Sequence, residues 1–153
     1  MPILIGTALT SATGTATLYA GLFLWSFLAA TVLPLSSEAP LAALVYKTRV
    51  WLGPVVVATV GNYLGACTTY GLARWAARST GLLGKDGRAH RTAVRLVAQY
   101  GAPVMLLSWV PLAGDALVAV AGAAAMPFTR FSLMVVIGKA ARYAVVAWLA
   151  LKI

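Results

Sequence analysis

The stretch Pro34-Leu35-Ser36-Ser37-Glu38-Ala39-Pro40-Leu41-Ala42 returns, altered, as Pro111-Leu112-Ala113-Gly114-Asp115-Ala116-Leu117-Val118-Ala119. Adding 77 carries Pro34, Leu35, Glu38, Ala39 and Ala42 onto Pro111, Leu112, Asp115, Ala116 and Ala119, so the pattern Pro-Leu-x-x-acid-Ala-x-x-Ala occurs twice. The same shift takes Gly61 to Gly138, well beyond the quoted segment. Alanine matches carry little weight in an Ala-rich chain, but this chain has three acids in all, and two of them stand at equivalent places.

Composition identifies the solvent. The chain has 153 residues, 61% of them hydrophobic and 10% charged, with a mean hydropathy of +0.89. An ordinary globular domain is about 45–50% apolar and about 25% charged. The sequence is that of an integral membrane protein, short enough for one domain over residues 1–153. Its net charge of +9 comes from twelve Lys and Arg against Glu38, Asp86 and Asp115. Half of the basic residues, Arg74, Arg78, Lys85, Arg88, Arg91 and Arg95, crowd one 22-residue stretch between apolar segments. That is the positive-inside pattern of a cytoplasmic loop, not a nucleic-acid surface. The lone Cys67 leaves no disulfide or multi-cysteine metal framework within one chain. No cleavable signal peptide is expected, because the first residues lack a basic region.

Crossing a hydrocarbon core of about 30 Å takes about 20 helical residues. Leu52 to Leu72 and Phe131 to Leu151 have that length. The other apolar runs are shorter: Leu18 to Leu33 and Ala39 to Val45 around the first quoted segment, Leu96 to Val110 and Ala116 to Ala125 around the second. Arms of about 10 to 16 residues rise only about 15 to 24 Å, so each pair is expected to form a re-entrant hairpin with its tip turned into protein or a wet cavity. A hairpin makes no net crossing and the helix after it makes one, so the second copy starts from the opposite side. The expected fold is therefore an all-α integral membrane protein of two inverted repeats, each a re-entrant helical hairpin followed by a full transmembrane helix. Repeat one covers about 18–73, a basic loop about 74–95, and repeat two about 96–152. Within the loop, Arg88, Arg91, Arg95 and Gln99 share one face of an interfacial amphipathic helix on which His90 is a surface residue. With the loop cytoplasmic, Lys47, Arg49 and Lys152 fall outside and Arg130 inside.

Four ionisable residues lie in apolar surroundings: Glu38, Asp115, Lys139 and Arg142. At about 2.5–3.5 kcal/mol each, four unpaired charges would cost on the order of 12 kcal/mol, so they must pair, neutralise or face water. Lys139 and Arg142 share a face of the last helix, and two acids against two bases make a nearly neutral cluster. Each acid also opens a half-helix, where backbone N–H groups favour an anion, with Ser36, Ser37 and Gly114 suited to capping. A carboxylate in such a place is a candidate proton carrier, and the planar fork of Arg142 is the better phosphate clamp. Asn62 is the counterpart of Lys139 and, with Tyr63, Thr68, Thr69 and Tyr70, offers neutral hydrogen-bonding groups. Gly61 and Gly65 suit close helix packing. Trp25, Trp51, Trp75 and Trp148 read as bilayer anchors, and Trp109 sits beside the second tip. There is no carboxylate-histidine set for Ser108, no phosphate-binding glycine loop and no metal-ligand spacing, so neither an enzyme nor a cofactor is expected.

Ser36-Ser37-Glu38, Gly61-Asn62-x-x-Gly65, Ser108-Trp109-Val110-Pro111-Leu112-Ala113-Gly114-Asp115 and Gly138-Lys139-x-x-Arg142-Tyr143 together resemble the YqaA-like branch of the bacterial DedA family, within the VTT or SNARE-associated Golgi protein superfamily. The resemblance covers about residues 20–148. It implies a multi-pass protein of the bacterial inner membrane that moves lipids, a polyprenyl phosphate or anionic phospholipid among them, with proton dependence. It also adds Ser37, Ser108 and Tyr143 to the pathway formed by Glu38, Asp115, Lys139, Arg142 and Asn62. DedA members with arginines flanking the second-tip proline differ here, where Ser108 and Gly114 stand, and the basic role is expected on Lys139 and Arg142. The leading expectation is a transporter or lipid flippase. A proton-coupled exporter of small ions or cationic compounds and a non-transporting scaffold are the alternatives. A homodimer is compatible with so small a transporter, with no interface readable.

Overall fold

The computed structural model describes residues 2–31, 36–79, 95 and 113–153, with side chains from Gly14 in the first segment and from Gly114 in the last. Regular structure among them is all helix: α1 (Pro2–Ala29), α2 (Glu38–Thr48), α3 (Leu52–Ser79), α4 (Ala113–Ala123) and α5 (Phe128–Lys152). Prolines mark the starts. Pro2 opens α1, Pro40 and Pro54 lie in the first turns of α2 and α3, and Pro127 is the N-cap of α5. These are places where a missing N–H costs no helical bond. Each 11-residue helix ends on a left-handed residue that is not glycine, Arg49 after α2 (φ 54°) and Ala125 after α4 (φ 53°). There the Arg49 N–H bonds the Val45 carbonyl at 2.8 Å, and the Met126 N–H bonds the Ala121 carbonyl at 3.0 Å, closing the helix ends as αL caps do.

Two boundaries differ from expectation. The leading arm does not start at Leu18: α1 begins at Pro2 and runs 28 residues, about 42 Å of rise. Thr, Ser and Gly before Leu18 break the apolar run without breaking the helix. Likewise, Arg74 and Arg78 are not loop residues but belong to the last turns of α3, because Ala73, Ala76, Ala77 and the two arginines are strong helix formers. Among the described residues α5 is the one helix both long and apolar enough to cross a membrane by length and composition. α3 matches it in length, but its Gly, Asn, Thr and Arg residues lower its hydropathy. The first half of the second hairpin, the amphipathic helix with His90 apart from the helical, exposed Arg95, and Pro34, Leu35, Ser108, Trp109, Pro111 and Leu112 lie outside the described residues.

The packing centres on α3 and α5. α1 lies along α3, α4 packs on α3, α2 packs on α5, and the two long helices meet each other. Buried positions on α3 include Ala58, Asn62, Ala66 and Tyr70, and on α5 Phe131, Val135, Lys139, Tyr143 and Ala147, the four-residue spacing of one helical face. One apolar cluster joins Leu22, Leu41, Leu44, Val45, Val55, Ala58, Tyr143, Ala147 and Ala150; a second joins Ala66, Tyr70, Val118, Ala121, Met126, Phe131 and Val135. On both long helices the position between the clusters is polar, Asn62 on α3 and Lys139 on α5.

Candidate functional site

The polar layer between the clusters is built from three residues of α5 and one residue of each of the other helices. Glu38 is the first residue of α2 and Asp115 lies in the first turn of α4, so both carboxylates sit at helix starts, where the dipole favours them. Lys139, Arg142 and Tyr143 project from α5, Asn62 from α3, and Ser26 from α1.

Arg142 holds Glu38 through one oxygen: Nε donates to Oε1 at 2.8 Å, and Nη2 donates to the same atom. The other oxygen, Oε2, accepts from the Ser36 hydroxyl. Ser37 at the N-cap makes no capping bond; its hydroxyl lies 2.6 Å from the Tyr143 hydroxyl, both groups buried. The capping role expected of Ser37 is therefore replaced by a tie between the tip and α5. Trp25, expected to be a bilayer anchor, is half exposed but donates its indole N–H to the Ser36 carbonyl at 3.2 Å, bracing the first tip as well.

The second pair is looser. Lys139 Nζ stands 3.7 Å from Asp115 Oδ1, with the lysine side chain 2% exposed and the aspartate 40%. Lys139 also donates to Asn62 Oδ1, and Asn62 Nδ2 donates to the Ser26 carbonyl at 3.1 Å. An ammonium has three donors, so these two partners leave room for a third acceptor. Ser26 itself is fully buried, and its hydroxyl has no hydrogen-bond partner among the described residues.

The structure thus brings together seven of the eight residues singled out from the sequence: Glu38, Arg142, Ser37 and Tyr143 at one pair, Asp115, Lys139 and Asn62 at the other. Ser108 lies outside the described residues. Neutral groups further along α3 are used elsewhere. Tyr63 bonds Ser132 at 2.8 Å, Thr69 bonds the Ala30 carbonyl at 2.9 Å, Thr68 bonds back to Leu64 at 3.0 Å, and Tyr70 bonds the Met126 carbonyl at 2.5 Å while accepting from Arg74. Sequence reasoning missed Ser26, whose signal is a single hydroxyl between the buried Leu22 and Ala29 on α1.

Regular structure that is all helix among the described residues, one helix long and apolar enough to cross a membrane, and ion pairs set between two apolar clusters are the features of a helical membrane protein. The VTT domain matches residues 3–150, and the chain belongs to the VTT-domain family. It is 38% identical over 128 residues to the inner membrane protein YqaA of Escherichia coli, covering 82% of this chain and 86% of that one, and equally so to YqaA of Shigella flexneri. An uncharacterised protein of Haemophilus influenzae is 37% identical over 139 residues, 84% of each chain. The resemblance to the YqaA-like branch read from the motifs is met by these relatives. No solved structure matches the chain.

Proposed function

We propose that this chain is a multi-pass protein of the bacterial inner membrane, a transporter or flippase for an anionic, phosphate-bearing lipid, built from two inverted repeats that meet at the Glu38–Arg142 and Asp115–Lys139 pairs. The observation that carries the reading is the polar layer itself. Both repeat-equivalent acids reach cations of α5 between two apolar clusters, where a charge is retained only at a cost. In transporters of inverted repeats, substrate sites lie where interrupted helices meet near the midplane.

A two-fold relation between the halves would set each short helix against the long helix of the other half, and α2 on α5 with α4 on α3 fits it. It would also exchange the two apolar clusters. Adding 77 takes Leu41, Leu44 and Ala58 to Val118, Ala121 and Val135, and takes Ala66 and Tyr70 to Tyr143 and Ala147. It would bring some residue against its own counterpart, as Lys139 meets Asn62, 77 positions earlier.

In this reading the phosphate of the lipid replaces Asp115 as the partner of Lys139, the longer and more exposed of the two pairs, and Arg142 offers a second cation one turn away. Asp115 and Glu38 take up or release the protons that balance the exchange. The lipid itself is moved with its covalent bonds intact. Purified protein in vesicles should move a fluorescent phosphate-bearing lipid between leaflets. Lys139→Gln or Arg142→Ala should slow movement about tenfold or more, the effect of losing one charge-assisted hydrogen bond. Unchanged rates in both would remove this centre from the path, and no movement by the wild-type protein would overturn the function.

The 40% exposure of Asp115 favours a second reading, a proton-coupled exporter of cationic compounds with Asp115 as the exchanging carboxylate. Protection of cells against such compounds, with no lipid movement in vesicles, would select it.

A further inference from the structure

α1 and α2 make little direct contact, and between them lies an open groove of about 420 Å3, within the roughly 300–1,000 Å3 of ligand sites. Its walls are Leu18, Leu22 and Trp25 from α1 and Pro40, Leu44 and Lys47 from α2. Gly21 and Ala43 also line it, and their small size leaves the space open. The groove runs from Pro40, in the first turn of α2, to Lys47 in its last. Apart from Thr17 and Lys47 the lining is apolar. Leu18 and Trp25 keep about half their surface free, so the groove opens sideways to whatever surrounds the helices.

The length of α2 bears on what that is. Its 11 residues rise about 16 Å, about half of a 30 Å hydrocarbon core. With Glu38 near the midplane, as the proposed transport function has it, Lys47 reaches headgroup level, its apolar stem along the groove and its ammonium in the interface. The groove is then one leaflet deep, apolar along its length and cationic at its outer end.

We infer that this groove seats an acyl chain of an anionic phospholipid, with the headgroup on Lys47 and the chain end against Trp25 and Pro40. The site deepens the transport reading and rests on it for the depth of α2. It brings a lipid to the first tip, because Trp25, which forms the groove wall, is bonded to Ser36, whose hydroxyl is bonded to Glu38.

Trp25 supplies the readout. A protein keeping Trp25 alone, with Trp51, Trp75, Trp109 and Trp148 changed to Phe, is placed in phosphatidylcholine vesicles. These carry a minor fraction of either phosphatidylglycerol or phosphatidylcholine brominated on the acyl chain. Brominated phosphatidylglycerol should quench Trp25 about fivefold more effectively, the preference one surface cation gives an anionic lipid. Lys47→Gln should bring the two lipids to parity, and Ala43→Phe, which fills the groove, should remove most quenching by both. Equal quenching in the parent protein, or a preference that survives both substitutions, would overturn the site. Circular dichroism confirms that the single-tryptophan protein is helical. Should it fail to fold, native mass spectrometry of the wild-type and Lys47→Gln proteins replaces quenching: the wild type should retain phosphatidylglycerol over phosphatidylcholine, and equal retention in both would overturn the site. Lipid movement is measured on the same vesicles. Selective quenching without movement supports the groove while overturning the transport reading, and movement without selective quenching does the reverse.

Discussion

Ser37 occupies the N-cap of α2, yet its hydroxyl is committed to Tyr143 of α5, 106 positions away. Because both groups are buried, removing either leaves the other without a partner, at about 1–3 kcal/mol. Ser37→Ala and Tyr143→Phe should each destabilise by about that amount, while the double variant costs less than their sum, as read by denaturation in detergent. Additive losses would mean that the two hydroxyls act independently. The four charged residues of the centre were legible in the sequence, because a charge among apolar residues is costly enough to need a reason. Which acid meets which base was not, since the pairing depends on how α2 and α4 approach α5. Ser26 was least legible: it takes part through its carbonyl, and every residue has one of those.

α3 is held against α1 and α4 by close approach as much as by side chains. A Cβ on Gly61 would stand 2.5 Å from the Phe23 carbonyl oxygen, and one on Gly65 or Gly122 would run into the backbone carbonyl of Phe27 or Tyr70. Gly71, on the same helix as Gly61, faces open space. Gly65→Val and Gly122→Val should therefore lower stability by about 1–3 kcal/mol, the cost of overpacking. Gly71→Ala should be neutral or gain about 0.5–1 kcal/mol, the helical preference for Ala over Gly. Thermal unfolding in detergent distinguishes these outcomes, and equal effects at the three positions would refute the crossing geometry. Element lengths were readable where apolar runs are continuous, as in Phe131 to Leu151 of α5. They were misread at the start of α1 and the end of α3, where Thr, Ser, Gly and Arg interrupt hydropathy while hydrogen bonding within the helix continues regardless.

Across the whole molecule, the proposed inverted repeats and the positive-inside count together predict one orientation, with Lys47 outside and Arg78 inside. In a Cys67→Ser background, a membrane-impermeant maleimide should label Lys47→Cys in intact spheroplasts and Arg78→Cys only after permeabilisation. The opposite order would invert the topology, and labelling of both from one side would break the repeat model. The offset behind the proposed repeat is legible in the sequence because two of only three acids coincide under one shift. The packing of each short helix on the far long helix was not visible, since a one-dimensional offset does not say which partners a symmetry exchanges. The contact between Asn62 and Lys139 bears, on this reading, on ancestry. Two separate half-length chains inserted in opposite directions would have to present the same residue twice at that point, lysine against lysine or asparagine against asparagine. Lysine twice would set two ammonium groups against each other, and asparagine twice would leave the layer without its central cation. Joining the halves in one gene removes that constraint, since each copy of the position can then change alone, and a donor can meet an acceptor where a symmetric ancestor could only meet itself.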